Sequence, residues 1–301
     1  MKVLVFGAAG FVGRNLIERL GREKKHDLVA SDLVESPFGD SVKYEGLDVL
    51  DRPRVSDAVS RSDVILHLAA SPLVVSLENP ATNMRVNVEG TLNILDAARK
   101  HDVKKIIYTS ASSVVGTPKY NPVDEEHPCS PKTPYAVAKR TCEDYLRVYN
   151  ELYGLHYVVF RLFNVYGPWQ SQKSGALIPN LYKTLKENKE FQVYGDGSNT
   201  RDFIYVEDVA DFCCSAVDLD VKDLIINMGT GQGTSIVELV NLASKLLRVK
   251  PKIAHKPSRP GEIGNFVADT KRLSENFGAK AFAPLEKGLE RTFSWLNTHG
   301  P

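Results

Sequence analysis

The segment KVLVFGAAGFVG, residues 2–13, is the strongest indication of the fold class. A short apolar run leads directly into Gly7, Gly10 and Gly13, and these glycines open an amphipathic stretch, NLIERLGREKK. Glycine allows a tight turn after a strand and lets a pyrophosphate approach the backbone N–H groups at a helix N-terminus. The spacing is GxxGxxG rather than GxGxxG, and glycines turn corners in many α/β proteins. Their position between a strand and a helix indicates a dinucleotide-binding turn.

The same alternation of strand and helix continues along the chain. Buried strands are predicted at 2–7, 28–32, 63–70, 104–110, 157–163 and 224–229. Strands separated by helical stretches of ~10–15 residues indicate βαβ units and a parallel sheet with helices on both faces. We therefore predict an α/β protein with a Rossmann-like, doubly wound parallel sheet that dominates residues 1–165. Beyond that point, shorter segments rich in Gly and Pro alternate with helices and predict a smaller α/β lobe that binds the substrate.

The composition is that of an ordinary soluble globular protein. The chain has 301 residues, 43% of them hydrophobic and 25% charged, and its formal net charge is +1. This balance attracts neither nucleic acid nor an anionic membrane, and no apolar run approaches the ~20 residues of a membrane span. The N-terminus shows no signal peptide, and the four cysteines show neither CxxC nor zinc-ligand spacing. We expect a cytoplasmic protein that binds no metal, nucleic acid or membrane.

Two aspartates follow predicted strands at places where a dinucleotide is recognised. Asp32 ends the second strand, close to the ~20-residue interval expected for a carboxylate that binds the adenosine ribose. Such a carboxylate accepts hydrogen bonds from the 2′ and 3′ hydroxyls and repels a 2′-phosphate, which favours NAD over NADP. The alternative is that Asp32 caps a loop. Asp48 follows the third strand and is placed to reach the adenine, although an Asx turn explains it nearly as well.

A tyrosine and a lysine one helical turn apart form the candidate catalytic pair. Tyr135 and Lys139 lie in PYAVAKRTCEDYLRVYNELYG, a strongly helical segment, so their side chains share one face. An ammonium near a phenol favours the phenolate and lowers its pKa, which lets the tyrosine act as a base near neutral pH. A second YxxxK, Tyr182 and Lys186, is interpreted as a solvated helix face, because no strand-end serine precedes it and lysines crowd around it.

Several longer blocks occur in order along almost the whole chain. They are HLAAS (67–71), NVEGTLNIL beginning at Asn87, RLFNVYGP (161–168), VYGDGSNTRDFIYVEDVA (193–210) and RPGE (259–262). Together with the glycine turn and the YxxxK pair, they resemble the extended short-chain dehydrogenase/reductase superfamily. Within it the resemblance is to the NAD-dependent nucleotide-sugar epimerases and dehydratases, the UDP-glucose 4-epimerases above all. Single residues have structural explanations, such as a surface ion pair for Arg201 or a core position for Tyr205, but the ordered set does not.

The resemblance implies a domain division and two sets of binding residues. An NAD-binding domain is expected at 1–165 and about 199–232, and a nucleotide-sugar-binding lobe at about 166–198 and 233–301. The residues expected at NAD are Gly7, Gly10, Phe11, Val12, Gly13, Asp32, Asp48, Val49, Leu68, Ala69, Ala70, Asn87, Ser110, Tyr135, Lys139 and Phe163. Those expected at a UDP-sugar substrate are Ser112, Asn164, Leu177, Val193, Tyr194, Arg201, Arg259, Glu262 and Phe266.

Within the substrate set, the resemblance assigns roles to four residues. Asn164 and Arg201 contact the diphosphate, Arg259 pairs with phosphate, and Glu262 binds the uridine ribose. Arginines suit bidentate contact with a diphosphate, and carboxylates suit ribose hydroxyls.

A homodimer is a further implication of the resemblance. The helices that begin near Asn87 and Tyr135 build the intersubunit four-helix bundle of the family. Leu92, Leu95 and Leu146 are candidates for that interface, and an internal packing role explains them equally well.

The stretch YTSASSVVG, residues 108–116, departs from the family pattern. The catalytic Ser or Thr of the family stands five positions before the glycine, and Ala111 occupies that position here. Three interpretations are open: Ser112 supplies the hydroxyl that bonds the sugar's 4-oxygen, a bound water replaces it, or activity is reduced or lost. We favour Ser112 or a substitute donor as catalytic partner of Tyr135 and Lys139. The serines also make sense as groups that satisfy strand-end backbone.

The same stretch disfavours reactions that need an extra acid/base pair. At these positions, the dehydratases that the chain resembles carry a sequence similar to Thr-Asp-Glu, and the decarboxylases carry a Glu three places before the glycine. This chain has Ala111-Ser112-Ser113 instead. The expected activity is therefore a UDP-glucose/UDP-galactose type 4-epimerase that transiently oxidises C4, with Tyr135 as base. The alternatives are another nucleotide-sugar oxidoreductase or modifier of the family, or, because of Ala111, a catalytically weakened nucleotide-sugar- or NAD-binding regulatory protein.

Phe266 is a candidate determinant of the sugar. By resemblance, the residue facing the far side of the sugar follows the RPGE block, near Phe266. A bulky ring that points inward there crowds an N-acetyl group and favours UDP-glucose and UDP-galactose. Phenylalanine is more often a core residue than a gate.

Overall fold

A computed structural model describes residues 1–258 and 264–300. The strands are β1 (Lys2–Phe6), β2 (Asp27–Asp32), β3 (Lys43–Gly46), β4 (Val64–His67), β5 (Lys105–Ala111), β6 (His156–Leu162), β7 (Asn164–Tyr166), β8 (Glu190–Tyr194), β9 (Thr200–Tyr205), β10 (Leu224–Met228), β11 (Gly233–Ser235) and β12 (Lys252–Lys256). The helices are α1 (Phe11–Glu23), α2 (Arg52–Ser60), α3 (Leu73–Glu78), α4 (Pro80–Met84), α5 (Gly90–Lys100), α6 (Pro134–Tyr153), α7 (Leu177–Lys186), α8 (Val206–Asp218), α9 (Ile236–Leu247), α10 (Lys271–Phe277) and α11 (Leu285–His299). Two predicted substrate residues, Arg259 and Glu262, lie outside the described residues.

The predicted parallel sheet is confirmed. Seven strands lie in the order β10-β6-β5-β4-β1-β2-β3, and β1 pairs in parallel with β2 on one side and β4 on the other. The order in which strands are added therefore reverses at β1: β2 and β3 lie on one side of it, and β4 lies on the other. A ligand crevice is expected at the carboxyl ends of the strands at such a point. All six predicted strands are present, but β4 ends at His67 rather than Ala70.

The strands are apolar on both faces because helices cover both sides of the sheet. Leu4, Phe6, Ile65 and Ile106 belong to one large hydrophobic cluster, which also contains residues of α2, α5 and α6. Leu95 and Leu146 lie in this same cluster and are almost completely buried. Packing in the core explains these two leucines without an intersubunit role.

The chain divides into two compact units. The first contains Met1–Gly116, Cys129–Leu162 and Val209–Ile226, and the second contains Thr117–Pro128, Phe163–Asp208 and Asn227–Pro301. Two small sheets, β11-β9-β7 and β12-β8, belong to the second unit. The assignment of one unit to NAD and the other to a sugar nucleotide stays a prediction. Within the described ranges, the structure has no helix long and apolar enough to cross a membrane.

The structure corrects the prediction that the second YxxxK, Tyr182 and Lys186, lies on a solvated helix face. Tyr182 is buried in α7, its hydroxyl donates to Asn297 Oδ1 at 2.6 Å, and its ring packs against Phe293. The prediction of a solvated face was wrong for this tyrosine, because α11 packs on the side of α7 that carries it. Lys186 is exposed, as expected.

Candidate active site

The glycine turn closes so tightly that side chains do not fit. Gly7 has φ +81°, and a Cβ built on it would lie 2.4 Å from the backbone N of Ala69. A Cβ on Gly13 would lie 2.1 Å from the carbonyl oxygen of Gly7. Gly10 is the N-cap of α1 and provides no side chain to bond the first N–H groups of that helix. These N–H groups and the helix dipole suit an anionic diphosphate.

A cavity of about 470 Å³ opens at this turn, at the carboxyl ends of β1, β2 and β4. Eight residues predicted to bind NAD line it: Gly7, Gly10, Asp32, Asp48, Val49, Leu68, Ala69 and Ala70. Sequence reasoning missed Phe6, Ala9, Ser31, Leu33, Val34, Leu47, Ser71 and Val86. Most of these are immediate neighbours of predicted residues, so the strand ends were the signal that could have found them. Phe11, Val12 and Gly13 lie just inside α1 and do not line the cavity.

The carboxylate of Asp32 organises the cavity's rim. Its Oδ2 accepts from the backbone N–H of Ala9 at 2.9 Å, and its Oδ1 accepts from that of Leu33 at 2.7 Å. The loop-capping alternative is thus observed, yet each oxygen keeps a second lone pair that a ribose hydroxyl can use. Asp48 forms the Asx turn, because its Oδ1 accepts from the N–H of Leu50 at 2.9 Å.

Asn87 fixes the loop that follows β4. It lies in a π-helical turn, Arg85–Glu89, between α4 and α5. Its Oδ1 accepts from the backbone N–H of Ser71 at 2.7 Å, and its Nδ2 donates to the Ser71 carbonyl at 3.1 Å. The oxygen and the nitrogen of the Asn87 side-chain amide therefore both bond to the backbone of Ser71. Asn87 shapes the cavity wall through Ser71 rather than by lining it.

The Tyr135–Lys139 pair occupies the first turns of α6. Thr133 caps this helix by accepting from the N–H of Ala136, and Pro134 is its first residue, a position that needs no N–H. The Lys139 Nζ donates to the Thr109 carbonyl at 2.7 Å and lies 5.8 Å from the centroid of the Tyr135 ring. The two side chains thus share a face, as predicted.

Burial shifts both pKa values against ionisation. It raises the pKa of Tyr135 to about 12 and lowers the pKa of Lys139 to about 8. The phenol is therefore protonated at neutral pH, and the amine is mostly charged. Further positive charge beside Tyr135 is needed before it ionises near neutral pH.

The serines after β5 are in different environments. Ala111 is the last residue of β5, and a 3-10 turn, Ser112–Val115, follows it. The hydroxyl of Ser110 donates to Glu143 Oε1 at 2.6 Å. The buried hydroxyl of Ser113 has no hydrogen-bond partner among the described residues. Ser112 is also buried. Because the Ser110 hydroxyl is bonded to Glu143, Ser112 and Ser113 are the two serines left as candidates for contact with a ligand.

In the second unit, three predicted substrate residues surround β9. Arg201 Nη1 donates to the carbonyls of Thr200 and Gly264 at 2.8 and 2.7 Å. Asn164 Nδ2 donates to the Asp202 carbonyl at 3.2 Å, and Phe266 forms an isolated parallel bridge with Arg201. The structure therefore brings Asn164, Arg201 and Phe266 together.

The Phe266 ring is nearly buried and stacks on Phe163, with 5.1 Å between the ring centroids. Phe163, predicted at NAD, belongs to the second unit. Val193 and Tyr194 end β8, and Leu177 begins α7.

Sequence reasoning missed the supporting role of Asp202. Its buried carboxylate accepts from the Thr230 N–H and hydroxyl at 2.8 and 2.7 Å, from the Gly231 N–H at 2.9 Å and from the Ala268 N–H at 3.2 Å. It therefore ties two loops to β9 beside Arg201. Its place next to Arg201 in the R-D-F block was the available signal.

Comparison with known proteins identifies the family. Residues 3–229 match the model of the NAD dependent epimerase/dehydratase family. The chain belongs to this family. It is 34% identical, over 99% of each chain, to a putative UDP-glucose 4-epimerase of Methanocaldococcus jannaschii.

Solved structures of epimerases are similar over the full length. A UDP-N-acetylglucosamine 4-epimerase from Methanobrevibacter ruminantium, in complex with UDP-N-acetylmuramic acid, is 28% identical over 99% of this chain and 98% of that chain, with a TM-score of 0.92. A Thermus thermophilus UDP-glucose 4-epimerase in complex with NAD is 28% identical over 99% of this chain and all of that chain, with a TM-score of 0.88. NAD is the cofactor of the epimerase/dehydratase family, and the resemblance recognised in the sequence is confirmed.

Proposed function

We propose that the protein is an NAD-dependent UDP-sugar 4-epimerase of the UDP-glucose/UDP-galactose type. The supporting observation is the Tyr135–Lys139 pair, whose buried lysine is bonded to the Thr109 carbonyl, next to a strand end without carboxylates, Ala111-Ser112-Ser113. An epimerase needs one acid/base group that takes and returns the same proton. Elimination and decarboxylation in this family use additional carboxylates, which this strand end lacks.

The residues of the glycine turn fit a bound dinucleotide. Gly7 and Gly13 let backbone pack directly against backbone to form the turn, and the carboxylate of Asp32 lines the cavity that opens at this turn. NAD, when bound, supplies the hydride acceptor and donor for C4 of the sugar. Tyr135 takes the proton from the 4-hydroxyl and later returns it to the 4-oxygen. Lys139 stabilises the phenolate through its positive charge.

The direct test uses purified protein and UDP-galactose with no added cofactor. We expect UDP-glucose to form without net release of NADH, because the redox cycle closes within each turnover. Bound UDP-galactose without conversion would instead support another sugar or the regulatory alternative. Conversion that requires or releases stoichiometric NADH would support a different oxidoreductase of the family.

We expect Ser112 to supply the hydroxyl missing at Ala111. Ser112→Ala should lower kcat by ~10²–10³-fold, the usual loss for one positioned donor. Steady-state kinetics with UDP-galactose measures this. Ser113→Ala is the matched control, since it removes the neighbouring hydroxyl. A larger loss of kcat in Ser113→Ala than in Ser112→Ala would assign the donor role to Ser113. Recovery of kcat in the double variant Ala111→Ser/Ser112→Ala would show that the loss in Ser112→Ala comes from the missing hydroxyl and not from a change in the backbone.

Phe266 is expected to limit the size of the sugar's substituent. Phe266→Ser should allow turnover of UDP-N-acetylglucosamine while UDP-glucose turnover persists, because the smaller side chain leaves room for an acetamido group. Coupled assays of both sugars with both proteins provide the comparison. Unchanged discrimination in the variant would place Phe266 in the core only, stacked on Phe163.

We also propose a homodimer formed through α4, the π-helical turn and α6. A groove of about 700 Å³ on this face is lined by Pro80, Met84, Val88, Val137, Ala138 and Thr141 among others, and Met84 and Val137 are half exposed. Val137→Asp should convert a dimer to a monomer in analytical ultracentrifugation, because it buries a charge in an apolar interface. Leu219→Asp, at an exposed leucine that does not line the groove, is the control and should leave the mass unchanged. A monomeric wild type would contradict the proposal.

A further inference from the structure

The amine of Lys139 has an aromatic neighbour for which the proposed reaction gives no role. Its Nζ lies 4.6 Å from the centroid of the Tyr108 ring, closer than the 5.8 Å to the ring of Tyr135. A cation within about 6 Å of a ring centroid, over the ring face, is attracted by the negative charge density of that face. Tyr108 lies in the middle of β5 and is 1% exposed, so the ring is held in place by the sheet.

No carboxylate neutralises this buried amine directly. Lys139 forms no ion pair among the described residues. Glu143, one turn further along α6, is bonded to Arg161 Nη2 at 2.8 Å and accepts the Ser110 hydroxyl. The carbonyl of Thr109 accepts one N–H of the ammonium. A buried ammonium with one carbonyl partner needs another source of negative potential to remain charged.

The other titratable groups around Lys139 are uncharged. On α6, burial raises the pKa of both the Tyr135 phenol and the Cys142 thiol. On β4, burial and the nearby Lys139 charge lower the pKa of His67 to about 3, so this imidazole is neutral. On β5, burial raises the pKa of the Tyr108 phenol itself, which keeps it neutral too. Besides the Thr109 carbonyl and the carboxylate of Glu143, which is paired with Arg161, the ring of Tyr108 is a neighbour that favours the ammonium.

We propose that Tyr108 is a positioning residue whose ring face holds Lys139 charged and directed toward the reaction centre. This role rests on the proposed function, in which the charge on Lys139 stabilises the phenolate of Tyr135. The ring acts through Lys139 and contacts no reacting atom. What matters is the aromatic face rather than the hydroxyl, because Nζ lies over the ring.

The proposal predicts a change in the pH dependence of kcat. Burial already lowers the pKa of Lys139 to about 8. Because the ring favours the charged form, its removal lowers this pKa further, by about one pH unit. The ammonium is then lost at lower pH, so the alkaline limb of the kcat profile moves down by the same amount.

Three substitutions of Tyr108 distinguish the effect of the aromatic ring from the effects of the hydroxyl and of the side-chain volume. Tyr108→Leu should shift the alkaline limb, while Tyr108→Phe should keep it at the wild-type pH. Tyr108→Met fills similar space without a ring and replaces Tyr108→Leu if that variant does not fold. Equal shifts in the Phe and Leu variants, or none in the folded variants without a ring, would overturn the proposal.

A direct titration of Lys139 makes the test independent of the substrate. NMR of protein labelled at the lysine side chains reports the pKa, and the signal of Lys139 is the one absent in Lys139→Gln. If the wild-type protein does not convert UDP-galactose but the Lys139 pKa is lower in Tyr108→Leu, the proposed epimerase activity is refuted and the positioning role of Tyr108 stands. An unchanged Lys139 pKa in a protein that does convert UDP-galactose would refute the positioning role alone.

Discussion

Tyr135→Phe is expected to lower kcat for UDP-galactose by about 10³-fold, because general acid/base groups typically contribute 10²–10⁴-fold. The substitution removes one oxygen atom and leaves the ring that packs in the first turn of α6. Binding of the sugar nucleotide, measured by calorimetry, should stay within about threefold of the wild-type value. A loss in rate without a loss in binding would separate an enzyme from a protein that only binds.

The chain offers a matched control in its second YxxxK. Tyr182→Phe removes the hydroxyl that donates to Asn297, which should lower the free energy of unfolding by about 1 kcal/mol. Activity at 25 °C should be unaffected, because α7 carries no group of the proposed acid/base chemistry. Equal losses of activity in the two variants would contradict the role of Tyr135.

Arg161→Met is expected to lower the free energy of unfolding by about 3–5 kcal/mol, the usual cost of removing one partner from a buried ion pair. Arg161 and Glu143 are 1% and 0% exposed, and their closest atoms are 2.8 Å apart. Among the residues that the structure describes, the remaining carboxylate would keep Ser110 and a weaker contact to Arg140 at 3.7 Å. Urea denaturation monitored by circular dichroism measures the change.

Two further variants test whether burial of the unpaired charge causes this loss. Arg161→Met/Glu143→Leu removes both charges and should recover most of the stability. Arg147→Met breaks the exposed pair with Glu151 and should cost less than about 1 kcal/mol. A large loss in Arg147→Met, or none in Arg161→Met, would contradict the argument.

The sheet and the glycine turn were predictable because their signals are local. Each central strand contains a short apolar run, and Gly7 and Gly13 stand where backbone approaches backbone. The end of β4 was misjudged because Leu68–Ala70 continue the apolar pattern although they leave the sheet to line the cavity. Hydrophobicity alone does not distinguish a core residue from a residue that lines a binding cavity.

Contacts between distant segments were not predictable from one sequence. Arg161 was interpreted only as part of a motif, and nothing local pairs it with Glu143 on another element. Tyr182 was assigned to a solvated face because its neighbours are lysines, whereas its partner Asn297 lies 115 residues further along the chain. Which serine hydroxyl remains available after β5 likewise depends on the position of Glu143.

The strand order also has a consequence during synthesis on the ribosome. β10, at one edge of the sheet, is separated from its neighbour β6 by roughly 60 residues that mostly belong to the second unit. At elongation rates of about 5–20 residues per second, β6 is therefore an unpaired edge for about 3–12 s. A hydrophobic strand edge left open for that time is a template for pairing between nascent chains. Yield of native protein should thus depend on translation speed and on chaperones that cover this edge.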